Sequence, residues 1–255
     1  MSTMRLKNRI ALVTGGSRGI GRGIAIGFAK EGADVIVNYK SRKDSAEEVV
    51  DTIKKVGRKA VALQADIGKP ESILGFISEA WEVFGRIDIL VNNAGIAYEI
   101  EFLKMSFELW RETLSLNLDG VMLCSQYVAK RMIEHTIKGK IICVTSVNGF
   151  QVEKSFLAYN VSKGGLDMLI KSMAAELGPY GICVNGIAPS VVKTEIVPEE
   201  FWKTTGLLFK KKTPLNRLGD VEDCVGPAIL LASDESNYVN GHIIVIDGGM
   251  SITQL

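Results

Sequence analysis

The stretch from Arg9 to Val37 constrains the fold more than any other. Arg9-Ile10-Ala11-Leu12-Val13-Thr14 is a short β-rich run, and Gly15-Gly16-Ser17-Arg18-Gly19-Ile20-Gly21 follows it directly. A helical pattern then runs from Ile20 to Glu31, with Ile20, Ile24 and Phe28 on one face. Gly32-Ala33-Asp34 closes that helix, and Val35-Ile36-Val37 opens a second strand. Strand, glycine turn, helix, strand is the signature of a dinucleotide-binding βαβ unit. The glycines have separate tasks. Gly15 allows a backbone shape closed to other residues. Gly19 lets the main chain approach a pyrophosphate, and Gly21 lets the helix pack near the sheet. The helix N-terminus then offers free N–H groups to phosphate.

The rest of the chain repeats the alternation. Helices are predicted over Ser41 to Lys55, capped by Ser41 or Ser45, and over Pro70 to Phe84. Ser106 to Met132 holds one long helix or two and carries Asn117, and further helices cover Ala158 to Leu177 and Asp220 to Ser233. Strands are predicted at Lys59–Gln64, Ile87–Val91, Ile141–Thr145, Ile182–Ile187 and Ile243–Ile246. These strands are continuous apolar runs, which marks an α/β fold with a parallel sheet covered on both faces. No linker or internal repeat interrupts the 255 residues, so we read one domain. Residues 188–218 fit no regular layer. Their Phe201-Trp202 and Leu207-Leu208-Phe209 groups suggest a short mobile helical lid.

Composition narrows the function classes. Thirty Lys and Arg face 29 Asp and Glu, a net charge of +1, so nothing points to nucleic acid. Lys210 to Lys212 read as a solvated face. No stretch reaches the ~18 uncharged apolar residues of a membrane span. The N-terminus lacks the apolar stretch of a signal peptide. Cys124, Cys143, Cys183 and Cys224 are scattered through apolar patterns and read as reduced residues of a cytoplasmic protein. His135 and His242 have no partners at metal-ligand spacing, so no metal site is expected.

Chemistry concentrates between Ser146 and Lys163. Tyr159 and Lys163 stand one helical turn apart and share a face, and Ser146 ends the apolar run of the fifth strand. An ammonium beside a phenol favours phenolate, so Lys163 is expected to lower the Tyr159 pKa. A tyrosine tuned in this way can exchange a proton with an alcohol or a carbonyl near neutral pH.

These pieces together resemble the short-chain dehydrogenase/reductase family. The matching residues are Thr14 to Gly21, Asn92-Asn93-Ala94-Gly95, Asn117, Ser146, Tyr159 with Lys163, and Asn185 followed by Pro189 and Thr194, from about Lys7 to Gly249. The resemblance implies a doubly wound Rossmann fold with a seven-stranded parallel sheet. It implies a catalytic tetrad of Asn117, Ser146, Tyr159 and Lys163. Tyr159 is the acid in reduction and the base in oxidation, and Ser146 polarises the substrate oxygen. Lys163 binds the nicotinamide ribose, and Asn117 holds a water of a proton relay. The implied cofactor contacts are Gly15, Ser17, Arg18, Gly19, Ile20 and Gly21 in the turn, with Asp66 and Ile67 at the adenine. Asn93, Ala94 and Gly95 line the groove, and Ile187, Pro189, Ser190, Val192 and Thr194 lie at the nicotinamide end. Ser190 stands where the family usually has glycine.

Family members that prefer NAD usually carry an aspartate at the end of the second strand. Here Asn38 stands there, followed by Tyr39, Lys40, Ser41 and Arg42, with Arg18 in the glycine turn. No carboxylate repels a 2′-phosphate and several donors are near, so NADP(H) is expected over NAD(H). Two subclasses resemble the chain most. One is the bacterial glucose and sugar-acid dehydrogenases, through Thr213 to Gly219, Tyr238 to Ile243 and Asp247 to Met250. The other is the 3-oxoacyl-(acyl-carrier-protein) reductases, which usually dock their acidic carrier with two basic residues. Lys140 keeps the first, with Lys138 nearby, while Pro179-Tyr180-Gly181 lacks the second. This tilts the expectation toward a sugar, polyol, sugar acid or small ketone, with substrate contacts from Ile96–Leu103, Val147–Phe156 and the lid. Asn148, Gln151 and Glu153 offer polar groups, and Tyr98, Phe150, Phe156 and Trp202 an apolar wall. An idle nucleotide-binding scaffold would show a damaged tetrad, and none is visible. The family also implies a homotetramer, paired through the helices around Ser106–Met132 and Ala158–Leu177. Leu116, Val121, Leu166, Leu169 and Met173 supply apolar positions that could equally cover the protein's own sheet.

Overall fold

In the computed structural model, residues 4–194, 199–203 and 205–252 are described. Seven strands form one sheet: β1 Ile10–Val13, β2 Asp34–Tyr39, β3 Ala60–Gln64, β4 Ile89–Asn92, β5 Lys140–Val144, β6 Cys183–Pro189 and β7 Ile243–Ile246. All pairings are parallel, in the order β3-β2-β1-β4-β5-β6-β7. The chain starts at the centre, winds out to β3, returns to β4 and winds out the other way. The winding direction reverses between β1 and β4, and a crevice opens there beyond the strands' carboxyl ends.

The helices are α1 Gly19–Lys30, α2 Lys43–Lys55, α3 Pro70–Phe84, α4 Phe107–Leu114, α5 Gly120–Glu134, α6 Leu157–Leu177, α7 Glu199–Lys203, α8 Thr205–Lys212 and α9 Val221–Ala232. Side chains alternate across the sheet, so each apolar run serves two cores. Ala11, Val13, Val35, Val37, Ile89, Val91, Ile142 and Val144 face α1, α2 and α9. Leu12, Ile36, Leu90, Ile141, Cys143 and Val184 face α3, α5 and α6. All four cysteines are unpaired thiols, three of them buried.

Helix α1 lies unusually close to α9. A Cβ on Gly23 would collide with Val221 Cγ1, and one on Gly27 with Val225 Cγ1. Asp220 and Asp223 form a reciprocal capping box at the start of α9. Pro70 opens α3, and Gly85 closes it in the left-handed region. Helix α2 begins later than the pattern suggests. Arg42 is its N-cap, Ser41 precedes it, and Ser45 lies inside it.

The segment Ser106–Met132 is two helices joined by a π-helical turn, Ser115–Asp119, which carries Asn117. Strand β6 runs two residues past its expected end and pairs Pro189 with Ile246. The expected lid contains α7 and α8. Residues 195–198 and 204 of that lid, and the Phe201 side chain, lie outside the described residues. Among the described residues no helix is long and apolar enough to cross a membrane.

Candidate active site

The glycine turn is fixed from both neighbouring strands. On the β2 side, Gly15 N donates to Asn38 Oδ1 at 3.1 Å and Gly16 N to Asn38 O at 2.9 Å. Asn38 Nδ2 donates on to Ala65 O at 3.1 Å. On the β4 side, Asn93 Nδ2 donates to Thr14 O and Gly15 O, at 2.9 and 3.1 Å. Thr14 Oγ1 accepts from the main-chain N–H groups of Asn93 and Ala94. Gly15 and Gly19 both have positive φ. A Cβ on Gly21 would run into Asn93 Nδ2 and Gly15 O, so only glycine fits there. The Arg18 side chain at the N-cap makes no capping hydrogen bond, and the first turn of α1 holds no acidic residue. A helix start without a carboxylate under a glycine cradle fits a pyrophosphate.

The expected cofactor residues are placed in different ways. Asn38 is buried with its side chain spent on the framework, as a strut under the turn. Tyr39 and Ile67 turn their side chains into the cores. The same holds for Val192, which pairs with Gly219 across an isolated bridge. Asp66 sits at the groove with Oδ1 accepting from Gly68 N at 3.0 Å and Oδ2 paired with Lys40 Nζ at 2.9 Å. Lys40, Ser41 and Arg42 are exposed beside it. Gly95 is exposed, while Ser17 is buried and Arg18 and Ile20 half-buried. Ser190 is absent from the positive-φ residues, and its N–H donates to Ile246 O at 3.0 Å. Ser190 follows the last residue of β6 directly and keeps an ordinary backbone conformation, so the freedom of the usual glycine is not needed. Thr194 lines a cavity with Gly19, Arg22 and Trp202 that reaches α9. Trp202 thus lies by α1 and α9.

Ser146, Tyr159 and Lys163 converge beyond the end of β5. Ser146 is buried, and its Oγ accepts from Asn148 N at 3.2 Å. Lys163 is buried one helical turn past Tyr159, with Nζ 5.5 Å from the phenol ring centroid. Its ammonium donates to Val144 O at 2.9 Å. Burial pulls the Lys163 pKa down to about 8, against support from Cys143 and Asp167. Burial also pushes the Tyr159 phenol up, opposed by the Ser146 hydroxyl and reinforced by the Glu153 carboxylate. The expected lowering of Tyr159 by Lys163 is thus absent from this structure. Desolvation dominates both groups while the lysine is turned to the Val144 carbonyl.

Asn117 is buried in the π turn. Its Oδ1 accepts from Ile96 N at 2.9 Å, and Nδ2 donates to Ile96 O at 2.8 Å and Ser162 Oγ at 3.0 Å. This ties the loop after β4 to helix α6. Asp167 escaped the sequence reading. It accepts a short hydrogen bond from Thr145 Oγ1 and sits one turn beyond Lys163. Its signal was the four-residue spacing from Lys163 on the same helix face.

On the substrate side, Phe156 meets the Tyr159 ring edge-on at 6.5 Å. Ile100 N donates to Ser155 O, joining the loop that carries Tyr98 to the loop that carries Glu153. Tyr98 OH hydrogen-bonds Glu112 at 3.2 Å, Gln151 Nε2 donates to Ser251 O at 3.3 Å, and Phe150 is exposed. Lys140 lies at the opposite end of the sheet. It is buried against Ser236 Oγ at 3.3 Å, and burial lowers its pKa. It is poorly placed to serve as a docking cation, while Lys138 and Arg86 are exposed at that end.

Comparison with known proteins points to one family. A family model described as enoyl-(acyl carrier protein) reductase matches residues 15–251. The chain is 37% identical over 247 residues to an L-rhamnose 1-dehydrogenase (NADP(+)) of Thermoplasma acidophilum, covering 96% of this chain and 97% of that one. It is also 37% identical over 243 residues to the 3-oxoacyl-[acyl-carrier-protein] reductase of Staphylococcus epidermidis, covering 95% and 99%. The solved gluconate 5-dehydrogenase of Burkholderia cenocepacia, in complex with NADP and tartrate, superposes with a TM-score of 0.90. That match has 34% identity and covers 99% of this chain and 98% of that one. The strand order, the glycine turn and the Ser146–Tyr159–Lys163 cluster all point the same way as these relatives: the chain is an oxidoreductase of the short-chain dehydrogenase/reductase family.

Proposed function

We propose that the protein is an NADP(H)-dependent oxidoreductase that interconverts a carbonyl and an alcohol on a sugar or polyol. The observation that carries this reading is the meeting of Ser146, Tyr159 and Lys163 beside the glycine turn, at the carboxyl end of the sheet. Tyr159 gives its phenolic proton to the substrate oxygen in reduction and takes it back in oxidation. Ser146 donates a hydrogen bond to the same oxygen and holds it against the phenol. Lys163 is turned toward Val144 O here and is placed to hold the ribose hydroxyls of a bound nicotinamide nucleotide. The nicotinamide, when bound, supplies or accepts the hydride. The Asn117 side chain is tied to Ile96 and Ser162, which fixes the residue that is to hold the relay water. Residues 38–42 contain no carboxylate, while Arg18, Lys40 and Arg42 offer cations to a 2′-phosphate. The rhamnose and gluconate relatives, by their names, use or bind NADP, which supports the same preference.

Sugar acids and small ketones belong to the same reaction class. The acyl-carrier-protein reductase reading loses support because Lys140 is buried. The scaffold reading loses support because the catalytic cluster is intact. The protein is read as a cytoplasmic homotetramer. The test is a nicotinamide absorbance assay with NADPH and NADH. Aldoses and polyols are run in the oxidative direction, and ketones and an acetoacetyl thioester in the reductive one. Turnover of an aldose or polyol with NADP, with the thioester slow, is expected. Fast thioester turnover overturns the substrate assignment, and a clear preference for NAD overturns the cofactor assignment.

A further inference from the structure

We propose that Glu153 sets the substrate class: its carboxylate accepts hydrogen bonds from the hydroxyls of an uncharged sugar or polyol and rejects substrates that carry a carboxylate. This rests on the sugar reading above and narrows it. Glu153 lies six residues before Tyr159, in the loop between β5 and α6. A hydrogen-bonded frame holds it there. Buried Asn148 donates from Nδ2 to Glu153 Oε2 at 3.4 Å and to Asn160 Oδ1 at 2.9 Å. Asn160 Nδ2 donates to Glu153 O at 2.8 Å. The main-chain N–H of Asn148 reaches Ser146 Oγ, so a single residue links Glu153 to the catalytic serine.

The frame leaves the carboxylate with work undone. Glu153 is half-buried and has no ion pair among the described residues. Its only side-chain donor among them is the long contact from Asn148, and Oε1 has none. A half-buried carboxylate with unused lone pairs wants donors, and sugar hydroxyls are donors. It stands close to the reacting residues, because Asn148, its side-chain donor, also reaches Ser146 Oγ through its main-chain N–H. Lys154, next in sequence, is exposed. A second carboxylate, brought in by a substrate, meets like charge in a partly desolvated site. Specificity of this kind comes from repulsion as much as from attraction.

The test uses two pairs that share a reacting group and differ in one charge. One is an aldose against the uronic acid of the same configuration. The other is ethyl acetoacetate against acetoacetate. Wild type is expected to favour the neutral partner in kcat/KM by roughly tenfold or more in whichever pair it turns over. Glu153→Gln keeps the size and the bond to Asn148, so it should fold, and Glu153→Ala is the second variant. Both should shrink the preference to about threefold or less, and both should raise KM for the aldose. A preference that stays unchanged in both variants overturns the proposal, as does a wild type that uses the uronic acid as well as the aldose. Aldoses left unconverted, with a Glu153-dependent preference in the keto-ester pair, overturn the sugar reading and uphold rejection of charge. Turnover of neither neutral partner overturns both.

Discussion

Replacing Tyr159 by Phe removes one oxygen from the site and almost nothing from the packing. The ring still meets Phe156 edge-on, and Lys163 stays bound to Val144 O. Melting temperature and NADPH binding should therefore stay near wild type, while kcat falls by about 10²–10⁴-fold, the worth of a positioned proton donor. The pH dependence follows from the direction of the shift. Burial raises the phenol pKa, so the proton-accepting form needed for oxidation grows as pH rises, and the oxidation rate should climb into the alkaline range. That limb should vanish in Tyr159→Phe. Steady-state rates across pH for both proteins check this, and an unimpaired variant means that another group moves the proton. The reacting residues were legible in the sequence because their spacing is local. Tyr159, Lys163 and the missed Asp167 all follow from one helical face. The places of Asn38 and Lys140 were not legible because they depend on which way a strand turns its side chains. Only the sheet register shows that Asn38 points under the glycine turn and that Lys140 is buried against Ser236.

At the scale of elements, the contact between α1 and α9 makes two glycines behave in opposite ways. Ala at an interior helix position is normally more favourable than Gly by up to ~1 kcal/mol. At Gly75, on the exposed face of α3, an added Cβ meets nothing within 4 Å, so Gly75→Ala should raise the melting temperature. At Gly27 the added Cβ collides with Val225, a branched side chain with little room to yield. Overpacking typically costs ~1–3 kcal/mol, which outweighs the gain in propensity. Gly27→Ala should therefore lower the melting temperature by several degrees. Calorimetry on the two variants decides it, and an equal rise in both means that α9 moves away freely. The order of strands and helices was readable from apolar runs and glycine turns. The π turn at Ser115–Asp119 was not, because its cause is tertiary. Asn117 is clamped by Ile96 and Ser162, and the helix backbone shifts register to allow it. The extension of β6 to Pro189 likewise depends on its partner, β7.

The helix that carries Tyr159 and Lys163 also has an outer face, and that face ties the site to the state of the whole molecule. Of the apolar positions the sequence offered for pairing, Val121 and Leu166 are buried in the protein's own core. Leu116, Leu169 and Met173 pack partly against it. What remains outside is a different set: Val161 at 45% exposure and Met168 at 61% on α6, one heptad apart and on one face, with Met122 at 38% on α5. Apolar side chains grouped in this way on neighbouring helices favour burial against a second copy. The expected particle is a homotetramer, four times the 27.7 kDa chain, by light scattering. Charges at the exposed positions, Val161→Glu with Met168→Glu, should break the interface through these helices and yield a smaller particle, because an unpaired buried charge is costly at an apolar contact. The inner face of α6 holds the phenol and the ammonium, so loss of the outer support should lower kcat more than it raises KM. A wild type of monomer mass refutes the assembly. A double variant that keeps the wild-type mass places the interface elsewhere on the molecule.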